Sequence, residues 1–404
     1  MGRRLVVCVA VLLLTGPAGA AAADSAETGP YACRALSCST LIPAATVDDA
    51  TTNDCGYRNG NEWWVDYVAG SLAWNTGESH NPITVTVALF DDGAAIDHPE
   101  LRNQLWTNEA EAHGKPGVDD DANGYVDDVH GWDFVDDDAV VSPQGECVGR
   151  VSHGTLMASL IAAERNNGVG IAAAGSDGAR LMILRIAGCG GRSKDKADPQ
   201  RIARAVDYAA RMGAKILNFS AHWPTTTPEL DAAFARVADS GSSTPAIVVA
   251  ALPNKGEAVA GYPAAYPFPR IVRAVPIGND DIISPGTSPA PPGINLGSPS
   301  ACVLGASAGS AGYRIEHGSS NSAAILTGLL AGVWSSPRYA RLPADEFLAK
   351  VVRGQMSQSP RRSQPDLPGG FPKGVPLADA CTLAMKGKSA RVCLEPGTQR
   401  GPSQ

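Results

Sequence analysis

The feature that most constrains the fold is an alternation of strand-length and helix-length segments between residues 180 and 251. The apolar segments predict strands over Arg180–Ile186, Ala214–Phe219 and Ala246–Ala251. The stretches between them predict helices over Gln200–Met212 and Pro228–Asp239. Strands that alternate with helices of this length form a mostly parallel sheet with helices on both faces. We therefore expect an α/β fold.

The chain begins with residues typical of an export signal. Arg3 and Arg4 precede an apolar run, Leu5–Leu14, that is too short to span a bilayer, and small residues follow it. The predicted parts are a signal peptide over 1–23, an irregular cysteine-containing arm over 24–60, a folded domain over 61–353 and a Pro/Ser-rich tail over 354–404. No later stretch is long and apolar enough for a membrane helix, so we expect no membrane span in the mature chain.

Cysteine usage and charge indicate where the protein acts and what it does not bind. The chain has nine cysteines, and removal of Cys8 with the signal leaves eight. An even number of cysteines in an exported chain predicts disulfides, so we expect a secreted or periplasmic protein. The net charge of −8 argues against a nucleic-acid partner. We expect a monomer.

Residue types needed for acyl transfer occur at the predicted ends of strands and helices. Asp91 ends the apolar run Thr84–Phe90, His153 opens a predicted helix, and Ser320 precedes an apolar helical run. A serine at a helix N-terminus lies where unpaired N–H groups favour an oxyanion. A histidine would take its proton, and a buried carboxylate would orient that histidine. Asn254, just past the last strand of the alternating series, is placed to donate to the oxyanion.

A second serine in the chain also lies in a known catalytic motif. Gly305–Gly309 matches the G-x-S-x-G motif of α/β-hydrolases, in which the acid and the histidine follow the serine along the chain. After Ser307 the sequence has a single histidine, His317, only ten residues on. That spacing leaves no room for both partners, so we exclude an α/β-hydrolase.

Several segments resemble the motifs of the subtilisin-like serine proteases, the subtilases. The segments are Val87–Gly93 with His98–Leu101 for the catalytic Asp, His153–Thr155 for the catalytic His, Gly213–Ser220 for the strand along the cleft, Val248–Asn254 for the strand ending in the oxyanion-hole Asn, Tyr262–Pro267 for the segment after it, and Gly318–Ser320 for the nucleophile. Their order along the chain, Asp then His then Ser, is that of subtilisin. The resemblance runs from about Asn61 to Val352, and it implies a subtilisin-like fold of three layers for the domain over 61–353.

The resemblance also implies a function, that of a serine endopeptidase acting on polypeptides. It assigns Asp91, His153 and Ser320 to a catalytic triad and Asn254 to the oxyanion hole. The residues it assigns to substrate binding are Ser220, Ala221, Leu252 and Pro253. A histidine base predicts activity that falls at acid pH, as the imidazole becomes protonated.

Around these motifs the chain departs from the family pattern. A second carboxylate, Asp92, stands where the family usually has Thr, and Leu156 stands where it has a second histidine. Pro253 replaces a glycine beside Asn254, and His222 replaces a small residue near the cleft. These departures leave an alternative open, a catalytically impaired pseudoprotease that binds peptides or protein partners in the cleft by strand addition.

An acidic insert over residues 109–138 matches most of a calcium-binding loop. The predicted calcium ligands are Asp119, Asp121, Asn123, Tyr125 and Asp127. His130 stands where such a loop has a bidentate Glu, and the flanks do not have the pattern of two helices, so a true EF-hand is not expected. A Ca²⁺ site and a solvated acidic turn both stay open, although repulsion among so many carboxylates favours a cation. Calcium would not be required for the chemistry.

Overall fold

A computed structural model describes most of the predicted domain. The described residues are 52–58, 62–68, 74, 83–143, 152–188, 198–254, 260–278, 283–284, 286–308 and 312–353, with the backbone of 361–362 and 375–376. The predicted signal peptide, most of the N-terminal arm and most of the tail lie outside these residues. No helix in the described part of the chain has the length and apolar character needed to cross a membrane.

Helices and strands alternate through the central part of the chain. The helices are α1 (Cys55–Arg58), α2 (Trp63–Tyr67), α3 (Glu109–Ala112), α4 (His153–Ala162), α5 (Pro199–Arg211), α6 (Pro228–Ala238), α7 (Ser319–Ser335) and α8 (Ala344–Phe347), the last continued by a π-helix over Leu348–Arg353. The strands are β1 (Val85–Asp91), β2 (Gly131–Asp133), β3 (Ala179–Arg185), β4 (Ile216–Phe219), β5 (Ile247–Ala251), β6 (Ile271–Ile277), β7 (Ile294–Pro299), β8 (Val303–Ser307), β9 (Gly312–Glu316), β10 (Arg361–Arg362) and β11 (Val375–Pro376).

A seven-stranded sheet forms the middle layer, in the strand order β2-β3-β1-β4-β5-β6-β7. Every pairing in it is parallel. The register places Asp91 of β1 beside Arg185 of β3, and Phe90 beside Phe219 of β4. Strands β8 and β9 form a separate antiparallel pair, as do β10 and β11.

The two faces of the sheet bury different apolar residues. Val87 and Leu89 of β1 belong to a core that includes residues of α4 and α7, whereas Ala88 and Phe90 belong to a core with α5 and α6. This alternation follows from the two-residue period of a strand. Nearly every residue of α7 is buried, which explains its continuous apolar run. The expected three-layer α/β fold is confirmed.

The strands β1, β3, β4 and β5 and the helices α5 and α6 lie within two residues of the predicted bounds. Strand β6 was missed, because Arg273 and Pro276 interrupt its apolar pattern. Arg273 is nevertheless buried, and its guanidinium donates to the carbonyls of Ala264 and Tyr266 at 2.7 Å each. Hydrogen bonding of this kind lets a charged side chain occupy a central strand.

Candidate active site

The carboxyl ends of three neighbouring strands meet two helix N-termini at one edge of the sheet. Strand β1 ends at Asp91, β4 is followed by Ser220, and β5 by Leu252–Asn254. Helix α4 begins at His153 and helix α7 at Ser319. Open parallel sheets bind their ligands beyond the carboxyl ends of the strands, so this edge is the natural place for a site.

The imidazole of His153 contacts both carboxylate oxygens of Asp91. Its Nδ1 lies 2.8 Å from Oδ1 and 2.9 Å from Oδ2. The Asp91 side chain is buried, whereas 40% of the His153 side chain is exposed. The N–H of Asp92 donates to Asp91 Oδ1 at 2.9 Å, which helps to fix the carboxylate. Because Nδ1 is held in this way, Nε2 is the nitrogen available to the cleft.

The charges around His153 favour its protonated form. Burial is the largest single influence and lowers the pKa of His153, but the charge and hydrogen bond of Asp91 and the charge of Asp92 together raise the pKa to about 9. The positive charge of Arg314 opposes the effect of these two carboxylates. The pKa of Asp92 is itself raised, first by burial and then by the charge of Asp91. The neutral imidazole that a general base requires therefore becomes populated as the pH approaches 9.

Ser320 is the second residue of α7, and backbone contacts fix its position. Gly318, just before the helix, has φ +149°, a value that residues with side chains rarely adopt. The Ser320 hydroxyl donates to the Ser220 carbonyl at 2.9 Å, and the Ser220 hydroxyl donates to the Ser320 carbonyl at 3.0 Å. Among the described residues, no hydrogen bond joins Ser320 to His153. Catalytic hydrogen bonds often form only when substrate is bound.

Asn254 is oriented by the start of the same helix. Its Oδ1 accepts the N–H of Ser319 at 2.9 Å, so its Nδ2 remains as the donor. Asn254, His153 and Ser320 line one cleft of about 350 Å³. The structure thus brings three of the four predicted catalytic residues into one cleft, and the fourth, Asp91, binds the histidine from behind.

Comparison with known proteins identifies the family of the chain. The model of the subtilase family (peptidase S8) matches residues 83–361. The chain belongs to the subtilase family. It is similar to subtilisin-like protease 1 of Plasmodium vivax, with 40% identity over 167 residues, which cover 41% of this chain and 24% of that protein. It is also similar to thermitase of Thermoactinomyces vulgaris, with 28% identity over 216 residues, which cover 54% of this chain and 62% of thermitase.

The matched region is only part of these relatives. The halolysin of Haloferax mediterranei gives 28% identity over 216 residues, which cover 54% of this chain and 34% of the halolysin. The alignments therefore span between about a quarter and about two thirds of the three relatives.

A buried polar chain holds the Ser220 hydroxyl that contacts Ser320, and sequence reasoning missed it. Asn218 of β4 donates through Nδ2 to Ser220 Oγ at 3.1 Å. Thr327, two turns along α7 from Ser320, donates to Asn218 Oδ1 at 2.8 Å. Asn218 and Thr327 are fully buried. In the sequence, Asn218 and Thr327 are each a hydrogen-bonding residue inside an apolar run. That pattern could have identified them.

The predicted substrate-binding residues follow the carboxyl ends of two adjacent strands, and none of them is among the residues that line the 350 Å³ cleft. Ser220 and Ala221 follow β4, and Leu252 and Pro253 follow β5. Leu252 is fully buried, whereas Ala221 is partly exposed. The carbonyl of Pro253 accepts the N–H of Ser288 at 3.1 Å, so the chain on that side is anchored although proline donates no N–H of its own.

The packing of two residues that depart from the family pattern, His222 and Leu156, is defined in the structure. His222 is exposed and packs on Gly261, where an added Cβ would lie 3.3 Å from the imidazole Cδ2. The next residue, Trp223, exchanges backbone hydrogen bonds with Tyr262. Leu156 is buried against Gly305, where an added Cβ would lie 2.3 Å from Leu156 Cδ1. Leu156 is therefore packed in the core at a place where it also lines the cleft.

The acidic insert brings together a different set of carboxylates from the predicted one. Oxygens of Glu111, Asp121 and Asp128 lie within 4.8 Å of one another, and of these only Asp121 was predicted. The amide of Asn108 donates to Asp121 and Asp128 at 3.0 and 2.8 Å, and the amide of Asn123 donates to the same two residues at 3.0 Å each. Glu111 was missed because it lies on α3, eight residues before the loop pattern begins.

The other predicted ligands form hydrogen bonds within the loop. Asp119 accepts the N–H groups of Asn123 and Gly124 at 3.0 and 2.8 Å. Asp127 accepts a backbone N–H at 2.8 Å, and Asn123 Oδ1 accepts that of Tyr125 at 2.7 Å. The ring of Tyr125 packs edge-on against neighbouring aromatic rings. These residues therefore shape the loop. The carboxylates that lie close to one another are those of Glu111, Asp121 and Asp128.

Proposed function

We propose that this subtilase is a serine endopeptidase that hydrolyses peptide bonds of polypeptides through Asp91, His153 and Ser320. The observation that carries the proposal is the contact of His153 Nδ1 with both oxygens of Asp91, in a cleft also lined by Ser320 and Asn254. A carboxylate bound to Nδ1 sets the tautomer and stabilises the imidazolium, which is what a triad requires. Membership of the subtilase family supports the same chemistry.

In this mechanism the Ser320 hydroxyl leaves the Ser220 carbonyl and turns to Nε2 of His153. It attacks the peptide carbonyl carbon as His153 takes its proton, and the C=O electron pair moves onto the oxygen. Nδ2 of Asn254 and the N–H of Ser320 stabilise that oxyanion. His153 then gives its proton to the leaving amine as the C–N bond breaks, and water repeats the sequence on the acyl-enzyme. Asp91 keeps the imidazolium oriented throughout.

The charges around His153 determine the pH at which this mechanism operates. The base must be neutral, and Asp91 together with Asp92 raises the pKa of His153 to about 9 against the effect of burial. The acid limb of kcat/KM should therefore lie on the alkaline side of an unperturbed histidine. Activity that falls at acid pH, as the sequence predicts, is retained in this proposal.

We also propose export to an oxidising compartment, either the periplasm or the exterior. The signal-like residues 1–23 support it, and so does Cys302, which is disulfide-bonded. The negative net charge remains an argument against nucleic acid as a partner. Polypeptide is then the partner that matters for function, and the protein acts as a monomer without a membrane span.

Calcium binding by the acidic insert is a separate proposal. Glu111, Asp121 and Asp128 offer the hard oxygen donors that Ca²⁺ prefers. The amides of Asn108 and Asn123 point N–H groups at these carboxylates, and a half-turn of either amide would present its oxygen instead. The residues present therefore fit a Ca²⁺ ion, which would neutralise the repulsion among the carboxylates. No step of peptide hydrolysis passes through this ion.

Active-site labelling distinguishes the protease from the pseudoprotease. Purified protein is treated with a fluorophosphonate probe and, separately, incubated with an unfolded protein, with Ser320→Ala as the control. The protease proposal expects a covalent adduct and proteolysis that both disappear in Ser320→Ala. Absence of a Ser320-dependent adduct together with absence of cleavage would leave only the peptide-binding alternative.

A further inference from the structure

Within the described residues, Asp92, which directly follows β1, makes its side-chain hydrogen bonds to the start of helix α4. Its Oδ1 accepts the N–H of Gly154 at 2.7 Å and the hydroxyl of Ser152 at 3.0 Å. Its Oδ2 accepts the N–H of His153 itself at 3.1 Å. The side chain is buried, with 5% exposure. A carboxylate that accepts N–H groups of a first helical turn satisfies donors that would otherwise be unpaired.

Two consecutive residues of the chain therefore hold His153 from two sides. Asp91 binds the imidazole, and Asp92 binds the backbone of the same residue. The strand end and the helix are in direct contact, since a Cβ on Gly154 would lie 2.1 Å from the carbonyl oxygen of Gly93. A shift of the His153 backbone would therefore break bonds to Asp92 and move the imidazole relative to Asp91.

The charge of Asp92 also acts on the imidazole. Strand β1 contributes Asp91 and Asp92, and β9 contributes Arg314, whose charge opposes theirs at His153. The remaining residues of α4 carry no charge. The other ionisable side chains that line the cleft are Glu316 and His317. Asp92 is thus the second negative group acting on the imidazolium, and Arg314 is the positive group that acts against it.

We propose that Asp92 is a positioning residue for His153, which fixes the backbone of the histidine and stabilises the imidazolium formed during acyl transfer. This inference rests on the proposed function for its catalytic meaning. Its geometric part, the hold on His153, does not depend on turnover.

The substitution Asp92→Asn tests the proposal with little change of volume. The amide keeps one acceptor and places an NH₂ against an N–H or O–H donor, and it removes the charge. We expect the titration midpoint of His153, followed by NMR in a Ser320→Ala background, to fall by roughly one pH unit. In the otherwise wild-type enzyme, the acid limb of kcat/KM should move by the same amount. The kcat should fall ten- to hundredfold, and KM should stay within about twofold.

Ser152→Ala is the matched control, because it removes the side-chain cap of α4 but leaves the Asp92 charge in place. The Ser152 hydroxyl accepts the N–H of Thr155 at 3.1 Å. This variant should lose stability, and the titration midpoint of His153 should not move. If both variants shift the midpoint equally, or if Asp92→Asn leaves it within about 0.2 units, the proposal is wrong. An effect confined to KM would mean that Asp92 acts on the substrate, and would also overturn it.

Two further measurements keep the test decisive. If thermal unfolding shows that Asp92→Asn does not fold, Asp92→Glu replaces it. An unmoved titration midpoint of His153 together with a reduced kcat supports the proposal. Unchanged kinetics contradict it. The NMR titration needs no turnover. If Asp92→Asn shifts the midpoint in the Ser320→Ala background but the protein that retains Ser320 is not labelled by the fluorophosphonate, the proposed function alone is refuted. If the protein that retains Ser320 is labelled but the midpoint does not move, only the role of Asp92 is refuted.

Discussion

The substitution Glu100→Gln should leave the protein about as stable as wild type at pH 5 and make it more stable than wild type at pH 7. Glu100 is fully buried. Its Oε1 accepts the Ile171 N–H at 2.8 Å and the Tyr313 hydroxyl at 2.7 Å, and its Oε2 accepts the Asn167 amide at 3.1 Å. Burial nevertheless raises the pKa of Glu100 from 4.5 to about 8, and the charge of Asp54 adds to the shift.

The magnitude follows from proton linkage. The folded pKa of this acid lies above the unfolded value, so between pH 4.5 and pH 8 the folded chain keeps a proton that the unfolded chain releases. Stability then falls as the pH rises through that window, by up to about 1.4 kcal/mol per pH unit. The loss attributable to Glu100 is on the order of 1 kcal/mol at pH 5 and 3 kcal/mol at pH 7.

Glutamine has no proton to lose, so Glu100→Gln is free of this pH dependence. Gln cannot accept the Asn167 amide while keeping its other bonds, which costs about 1 kcal/mol at every pH. The variant should therefore be about as stable as wild type at pH 5 and about 2 kcal/mol more stable at pH 7.

Urea unfolding at pH 5, 6 and 7, followed by tryptophan fluorescence, measures the effect. Both proteins carry Ser320→Ala, which prevents self-digestion, and calcium is held constant. Glu229→Gln, at an exposed glutamate in the first turn of α6, is the control and should show no such pH dependence. A stability difference between Glu100→Gln and wild type that stays constant from pH 5 to pH 7 would refute the reasoning.

Three further predictions address the site and the acidic insert. Asn254→Ala should lower kcat roughly 10²- to 10³-fold with KM little changed in peptide-ester hydrolysis, and a loss mainly in KM would contradict an oxyanion role. Asp133→Ala leaves the buried Arg185 without its buried partner, so chemical unfolding should show a loss of about 3–5 kcal/mol, and a loss below about 1 kcal/mol would refute it. Calcium should raise the Tm of wild type by several degrees. If the ligands are Glu111, Asp121 and Asp128, the variant Glu111→Gln should lose most of that rise, whereas Asp127→Asn should keep it.

Much of the sheet could be predicted because its strands are buried on both faces and appear as uninterrupted apolar runs. Strand β6 could not be predicted in this way, because Arg273 interrupts its apolar run. The carbonyl groups that accept hydrogen bonds from Arg273 come close to it only in the folded chain. The candidate catalytic residues could be placed at the ends of elements from local motifs. Their support could not, because the link from Thr327 through Asn218 to Ser220 joins residues more than one hundred positions apart.

The ligand residues of the acidic insert were harder to predict, because they too come from separate parts of the sequence. Its loop pattern concerns neighbours in sequence, and the structure uses Asp119 for hydrogen bonds within that loop. The closest carboxylates come instead from α3 and from the end of the loop, at Glu111 and Asp128. A pattern of ligand spacing identifies where oxygen atoms accumulate, but it does not identify which of them face one another.

Strand β3 connects the acidic insert to the contact between Asp91 and His153. Arg185 of β3 binds the carboxylates of Asp133 and Asp136, which follow the acidic loop, and the register places it beside Asp91. The carbonyl of Asp91 accepts the N–H of Ile186 at 2.9 Å. A displacement of the 133–136 turn would therefore reach the residue that orients His153 through backbone hydrogen bonds of adjacent strands. If calcium orders the insert, its effect on catalysis should come through the position of the β1 end, so loss of calcium should lower kcat together with stability while Ser320 remains labelled by the fluorophosphonate.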